Sequence, residues 1–187
     1  MIKNIASHLN WIDIVIIVLF LRIIYSGLMK GFAVEIFKLI GILVSSVIAL
    51  NYYTSLAAII NNKIHFSKEL VEFNCFLIIL LGGVIIFAIL RDIILKFIKI
   101  EANSALNKWG GLSLGFLRSF LVISSVLFSL LLMKTDYLKS SLQKSYLSGS
   151  LIGFNTTIYN FFWNDMVKKV FPNEPFNNEA VDLTKQL

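Results

Sequence analysis

The run LIGILVSSVIALNYYTSLAAII, from Leu39 to Ile60, holds 22 consecutive residues without a charge. As an α-helix at 1.5 Å per residue it is about 33 Å long, close to the hydrocarbon thickness of a bilayer. A membrane strand needs only about ten residues and alternates apolar with polar side chains. This run does not alternate. A helix pairs every backbone N–H and C=O within the segment, which lipid requires because no water is available there. The stretch therefore reads as a transmembrane helix, which begins after the tight junction Lys30-Gly31-Phe32 and carries Glu35 and Lys38 in its first turns.

Three further stretches have the same character. The first runs from Trp11 to about Met29, with Asp13 near one end and Arg22 inside it. A third occupies about Phe73 to Leu90, has Gly82-Gly83 at its centre and ends at Arg91-Asp92. An amphipathic tail with Lys96, Lys99 and Glu101 continues it, and the polar residues from Asn61 to Glu72 read as the connection before it. The fourth runs from about Leu112 to Met133, interrupted only by Arg118 near its start. The fold expected is all-α: a polytopic membrane protein with about four transmembrane helices and an amphipathic C-terminal region. Residues 1–133 form the membrane domain and 134–187 the tail. Within that tail, Tyr146 to Val170 reads as an amphipathic helix lying on the membrane or against the bundle. After Phe171 the sequence Pro-Asn-Glu-Pro-Phe-Asn-Asn stops any helix, and a frayed end is expected.

Composition agrees. Hydrophobic residues are 57% of the 187-residue chain and charged residues 15%, against roughly 45–50% and about 25% in soluble domains. The net charge of +6 does not point to nucleic acid, because the basic residues flank hydrophobic runs, where they anchor helices at the interface and set topology. Cys75, the single cysteine, can make no intrachain disulfide and reads as packing. The first ten residues carry Lys3 and lead into a hydrophobic run, as in a signal peptide. That run contains Arg22 and continues through Ser26-Gly27 without a small-x-small cleavage pattern, so an uncleaved first span is expected.

With four spans, both chain ends lie on one side of the membrane. The connections on the other side carry Lys30, Lys38, Arg91, Lys96, Lys99 and Lys108. The positive-inside rule makes those connections cytoplasmic and both ends external, against the opposing pull of Lys134, Lys139 and Lys144 after the fourth span.

Candidate sites follow from what lipid tolerates. Gly27 and Gly31 are four apart, as are Gly111 and Gly115, so each pair presents a flat patch on one helical face that lets another backbone approach closely. The charges Asp13, Arg22, Glu35 and Arg118 lie in or at the ends of spans, where an ionisable group needs a partner, a polar cavity or a route to the interface. Arg118 sits about one helical turn from Gly115, which directs it toward a neighbouring helix. Glu35 is its expected counter-charge, because both belong near the start of an even-numbered span. No catalytic constellation is recognised: the chain lacks Gly-x-Gly-x-x-Gly, a phosphate loop, His-Glu-x-x-His and Cys-x-x-Cys. His8 and His65 read as polar-loop residues. No catalytic, cofactor or metal residue is expected. The expected partners are membrane lipids, with membrane proteins or further copies of the chain as additional ones, and no nucleic acid.

The order of these features resembles the bacterial colicin V production protein family of small inner-membrane proteins. The resemblance rests on Trp11-Ile12-Asp13 opening the first span and Lys30-Gly31-Phe32-Ala33-Val34-Glu35 between the first two. Leu106-Asn107-Lys108-Trp109-Gly110-Gly111, leading to Gly115-Phe116-Leu117-Arg118, completes it. Family members often have a basic residue where Val34 stands, an acidic one at Asn107 and a glycine at Ser119. The resemblance implies a bacterial inner-membrane location and a role in production or export of the peptide toxin colicin V, and more broadly in envelope integrity and stress tolerance. It brings no accepted biochemical activity. The leading expectation is a non-enzymatic accessory protein; the alternative is a small oligomeric channel or transporter, which would place Arg22, Glu35 or Arg118 along a wet cleft.

Overall fold

The computed structural model describes residues 10–63, 66–97 and 104–185. Four long helices dominate it: α1 (Trp11–Lys30), α2 (Phe32–Asn61), α3 (Lys68–Phe97) and α4 (Ser104–Leu132). All four are long and apolar enough to cross a membrane. The first boundaries have chemistry visible in the sequence. Asn10 caps α1 by accepting the Trp11 N–H, and in return its own N–H donates to Asp13 at 2.9 Å, closing a capping box. Gly31 ends α1 and opens α2 at φ 79°, a conformation that side chains with a Cβ rarely adopt.

The helices run beyond the charge-free stretches that announce them. α3 begins at Lys68, inside the expected polar connection, and continues to Phe97 as one helix. α4 begins at Ser104, ahead of the expected Leu112. Hydropathy marks only the part of a helix that lipid surrounds; the polar turns at either end are helical too. Lys99 and Glu101 of the expected α3 tail, together with His8 and His65, lie outside the described residues.

α1 runs antiparallel to α4, and α2 lies between α3 and α4. The core is aromatic where the last three meet: Tyr53 of α2, Phe76 of α3 and Phe128 of α4 lie with ring centroids 5.1 to 6.2 Å apart, and all three are fully buried. The outer faces are equally oily. Ile14, Val18 and Leu21 on α1, and Ile78, Ile85 and Ile89 on α3, are all exposed. Apolar surface of this extent is unstable in water and suits lipid contact. The chain is a multi-pass membrane protein.

The tail packs against the bundle. α5 (Asp136–Lys144) leads to α6 (Ser148–Phe162), which widens into a π-helical turn (Trp163–Val167) and finishes in the short α7 (Lys168–Val170). α6 crosses α4 and reaches α2. The end expected to fray does not do so over its described part: the Pro-containing turn leads back to α8 (Asn178–Thr184), which buries Ala180 and Leu183. The prolines do stop α7. The chain beyond them is held because Phe176 stacks on Tyr159 at 4.9 Å and Asn177 donates from Nδ2 to the Leu50 carbonyl at 2.8 Å.

Candidate functional site

The two glycine pairs meet. Gly27 of α1 packs on Gly111 and Gly115 of α4 so closely that a Cβ at Gly27 would stand 2.5 Å from the Gly111 carbonyl oxygen. A Cβ at Gly115 would stand 3.2 Å from the Gly27 Cα. Backbone touches backbone here, and the dispersion gained replaces the hydrophobic drive that lipid removes. Gly31 packs on the side chain of Asn107, whose Oδ1 accepts the Phe32 N–H at 2.7 Å. That amide oxygen satisfies one of the free N–H groups at the start of α2. In the sequence Asn107 is only a departure within a motif; its role as a cap from another helix follows from the α1–α4 seam and cannot be read locally.

The seam brings Glu35 to Arg118. Glu35 is fully buried, and Arg118 Nη2 stands 3.1 Å from its Oε2. This is a charge contact, since the alignment does not make it a hydrogen bond. Lys38, one turn along α2, donates from Nζ to the other oxygen, Oε1. Arg118 also reaches the Ile23 carbonyl of α1 at 3.5 Å, while its buried Nε has no partner among the described residues. One carboxylate thus faces two cations, and a third, Arg91, lines the same cavity. The cavity measures about 240 Å³, and its walls include Phe37, Ile42, Val84 and Phe87.

Asp13 and Arg22 are not part of this cluster. Asp13 is fully buried at the opposite end of α1, where Ser145 Oγ donates to its Oδ1 at 2.6 Å and the Leu147 N–H donates at 3.1 Å. Among the described residues its charge is met by donors rather than by a cation, and it fastens the α5–α6 junction to the start of α1. Arg22 faces outward on α1 and makes no ion pair among the described residues.

Two further polar groups escape a reading of the sequence. Glu72, expected in a solvated connection, is fully buried at the start of α3. Lys68 Nζ lies 3.3 Å from one of its oxygens and Lys134 Nζ 3.7 Å from the other. Asn51, in the middle of the charge-free run, accepts from the Tyr159 hydroxyl at 2.7 Å, and that hydroxyl accepts the Asn177 N–H at 2.9 Å. On α4, Ser124 Oγ accepts the Asn155 N–H at 3.0 Å and Ser125 Oγ accepts from Asn155 Nδ2 at 2.7 Å. Asn51 of α2 and Ser124 and Ser125 of α4 are therefore docking points for the tail. Asn51 in an apolar run was the available signal.

A family model described as Colicin V production protein matches residues 12–156, which include every glycine and charge of the α1–α2–α4 junction. No curated protein and no solved structure matches the chain.

Proposed function

Because the chain belongs to the colicin V production protein family, we propose that it is a non-enzymatic accessory protein of the bacterial inner membrane. In this reading it supports production or export of a colicin V-like peptide and the integrity of the envelope. The observation that carries the reading is where the motif residues go. Gly27, Gly31, Asn107, Gly111 and Gly115 make backbone-close packing, and Glu35 and Arg118 tie that packing together. That packing favours a scaffold over an array that presents an acid, a base or a nucleophile to a substrate. Arg22 is exposed on α1 rather than lining the cavity beside Arg118, whose walls are mainly apolar, and this favours the accessory role over a transport pathway.

The test is deletion and complementation in a strain that makes a colicin V-type peptide. Toxin activity in the medium and peptide inside the cell are measured together, with detergent sensitivity as the envelope readout. The accessory role predicts loss of released toxin and raised detergent sensitivity, both restored by the wild-type chain, together with partner capture by crosslinking. Ion or peptide flux through the purified, reconstituted chain, abolished by Arg118→Ala at equal abundance, would replace the accessory role with transport.

A further inference from the structure

We propose that the cavity between α2, α3 and α4 is a binding site for the headgroup of an anionic phospholipid, held by Lys38, Arg91 and Arg118. The proposal is independent of any role in toxin production. It begins with charge. Glu35 is the buried carboxylate between Lys38 and Arg118, whose side chains are only 16% and 12% exposed. One negative charge cannot neutralise two positive ones, and an uncompensated cation withdrawn from water is costly. Arg91, 18% exposed, adds a third cation on the facing helix; its own partner Asp92 is 62% exposed and directed to the outside. Arg118 Nε remains a buried donor without an acceptor among the described residues. Lys38, Arg91 and Arg118 converging on one cavity suit an anion with several acceptor oxygens, and a phosphate group supplies that chemistry.

Position distinguishes a lipid phosphate from a free one. Lys38 immediately precedes the charge-free run Leu39–Ile60, and Arg91 immediately follows the charge-free run Phe73–Leu90. Both cations therefore stand where the hydrocarbon ends and headgroups begin. The rest of the cavity, with Phe37, Ile42, Val84 and Phe87, lies beside or beyond them on the hydrocarbon side. A cationic rim over an apolar wall between transmembrane helices matches a molecule with a charged head and an acyl chain. Free phosphate would gain nothing from the apolar wall.

The experiment is native mass spectrometry of the purified full chain in detergent, with phosphatidylglycerol or phosphatidylcholine of identical acyl chains added. The wild type should retain phosphatidylglycerol about fivefold more than phosphatidylcholine, the preference that roughly one basic contact provides. Arg91→Gln should lower that preference toward parity and Arg91→Lys should keep most of it. Lys144→Gln, which removes an exposed charge at the opposite end of the bundle, should leave it unchanged. Equal retention of the two lipids by the wild type overturns the proposal even if a variant fails to fold. So does an equal loss in Lys144→Gln and Arg91→Gln, which would mark a general attraction between charges. Displacement of phosphatidylglycerol by inorganic phosphate, but not by chloride at the same ionic strength, would make free phosphate the occupant and overturn the lipid.

Discussion

Arg118 of α4 meets Glu35 of α2 at 3.1 Å, and Lys38 occupies the other oxygen of the same buried carboxylate. The consequences of removing each member are therefore unequal. Arg118→Ala leaves Glu35 paired with Lys38, whereas Glu35→Gln leaves two cations with no carboxylate between them. Breaking a buried pair by removing one partner costs about 3–5 kcal/mol in proteins generally. Glu35→Gln should accordingly lower the melting temperature in detergent more than Arg118→Ala, and Glu35→Gln with Arg118→Met should recover part of the loss. Arg118→Ala should still reduce abundance or toxin release; wild-type values for both would remove Arg118 from the functional argument.

The glycine seam gives a matched comparison. An added methyl at Gly27 collides with the Gly111 backbone, while a Cβ at Gly82 meets nothing within 4 Å. Gly27→Ala should separate α1 from α4 and destabilise the chain, as overpacking does by about 1–3 kcal/mol. Gly82→Ala should be neutral or slightly stabilising. Melting in detergent, with spin-label distances between α1 and α4, decides this; equal effects of the two substitutions would contradict the seam.

Asp13 fastens the tail through Ser145 Oγ and the Leu147 N–H. Asp13→Ala leaves those buried donors without their acceptor, at about 1–3 kcal/mol each. Limited trypsin digestion should then cut after Lys139 and Lys144 faster than in the wild type, while the long helices stay protected. An unchanged digestion rate would show that α5 and α6 are held by apolar packing alone.

Tyr159 bridges Asn51 and Asn177 through its hydroxyl. Tyr159→Phe should speed amide hydrogen exchange in α8 while leaving α2 protected. Burial pushes this phenol up to about 12. Because the folded value lies above the ordinary phenol near 10, its contribution is intact below about pH 10 and is lost as pH rises toward 12. Exchange in α8 should therefore show no pH-dependent opening between pH 6 and 9 beyond the intrinsic chemical rate.

The legible part of the fold was the part dictated by the solvent. Uncharged runs such as Leu39–Ile60 and Phe73–Leu90 can only be helices in lipid, whatever packs against them. Gly27, Gly31, Gly111 and Gly115 were visible as small-residue pairs, and Glu35 and Arg118 as charges that needed one another. Glu72 was misplaced because a carboxylate flanked by Lys68 and Glu69 looks solvated. Its burial comes from α3 starting early and from Lys134, which approaches from after α4.

Sequence by itself determined the four spans, the all-helical class and the residue types able to make close contact or carry charge into the membrane. These follow from local properties: the length of an apolar run, the absence of a side chain on glycine and the cost of an ion in hydrocarbon. Only the tertiary structure decided that Asn107 caps α2, that Arg22 is exposed outside the Glu35–Arg118 pair, and that Asn51, Ser124 and Ser125 receive the tail. Each of these depends on which helices are neighbours and how each is rotated about its axis. Rotation is weakly encoded in a membrane helix, because its lipid-facing and protein-facing sides are nearly equally apolar.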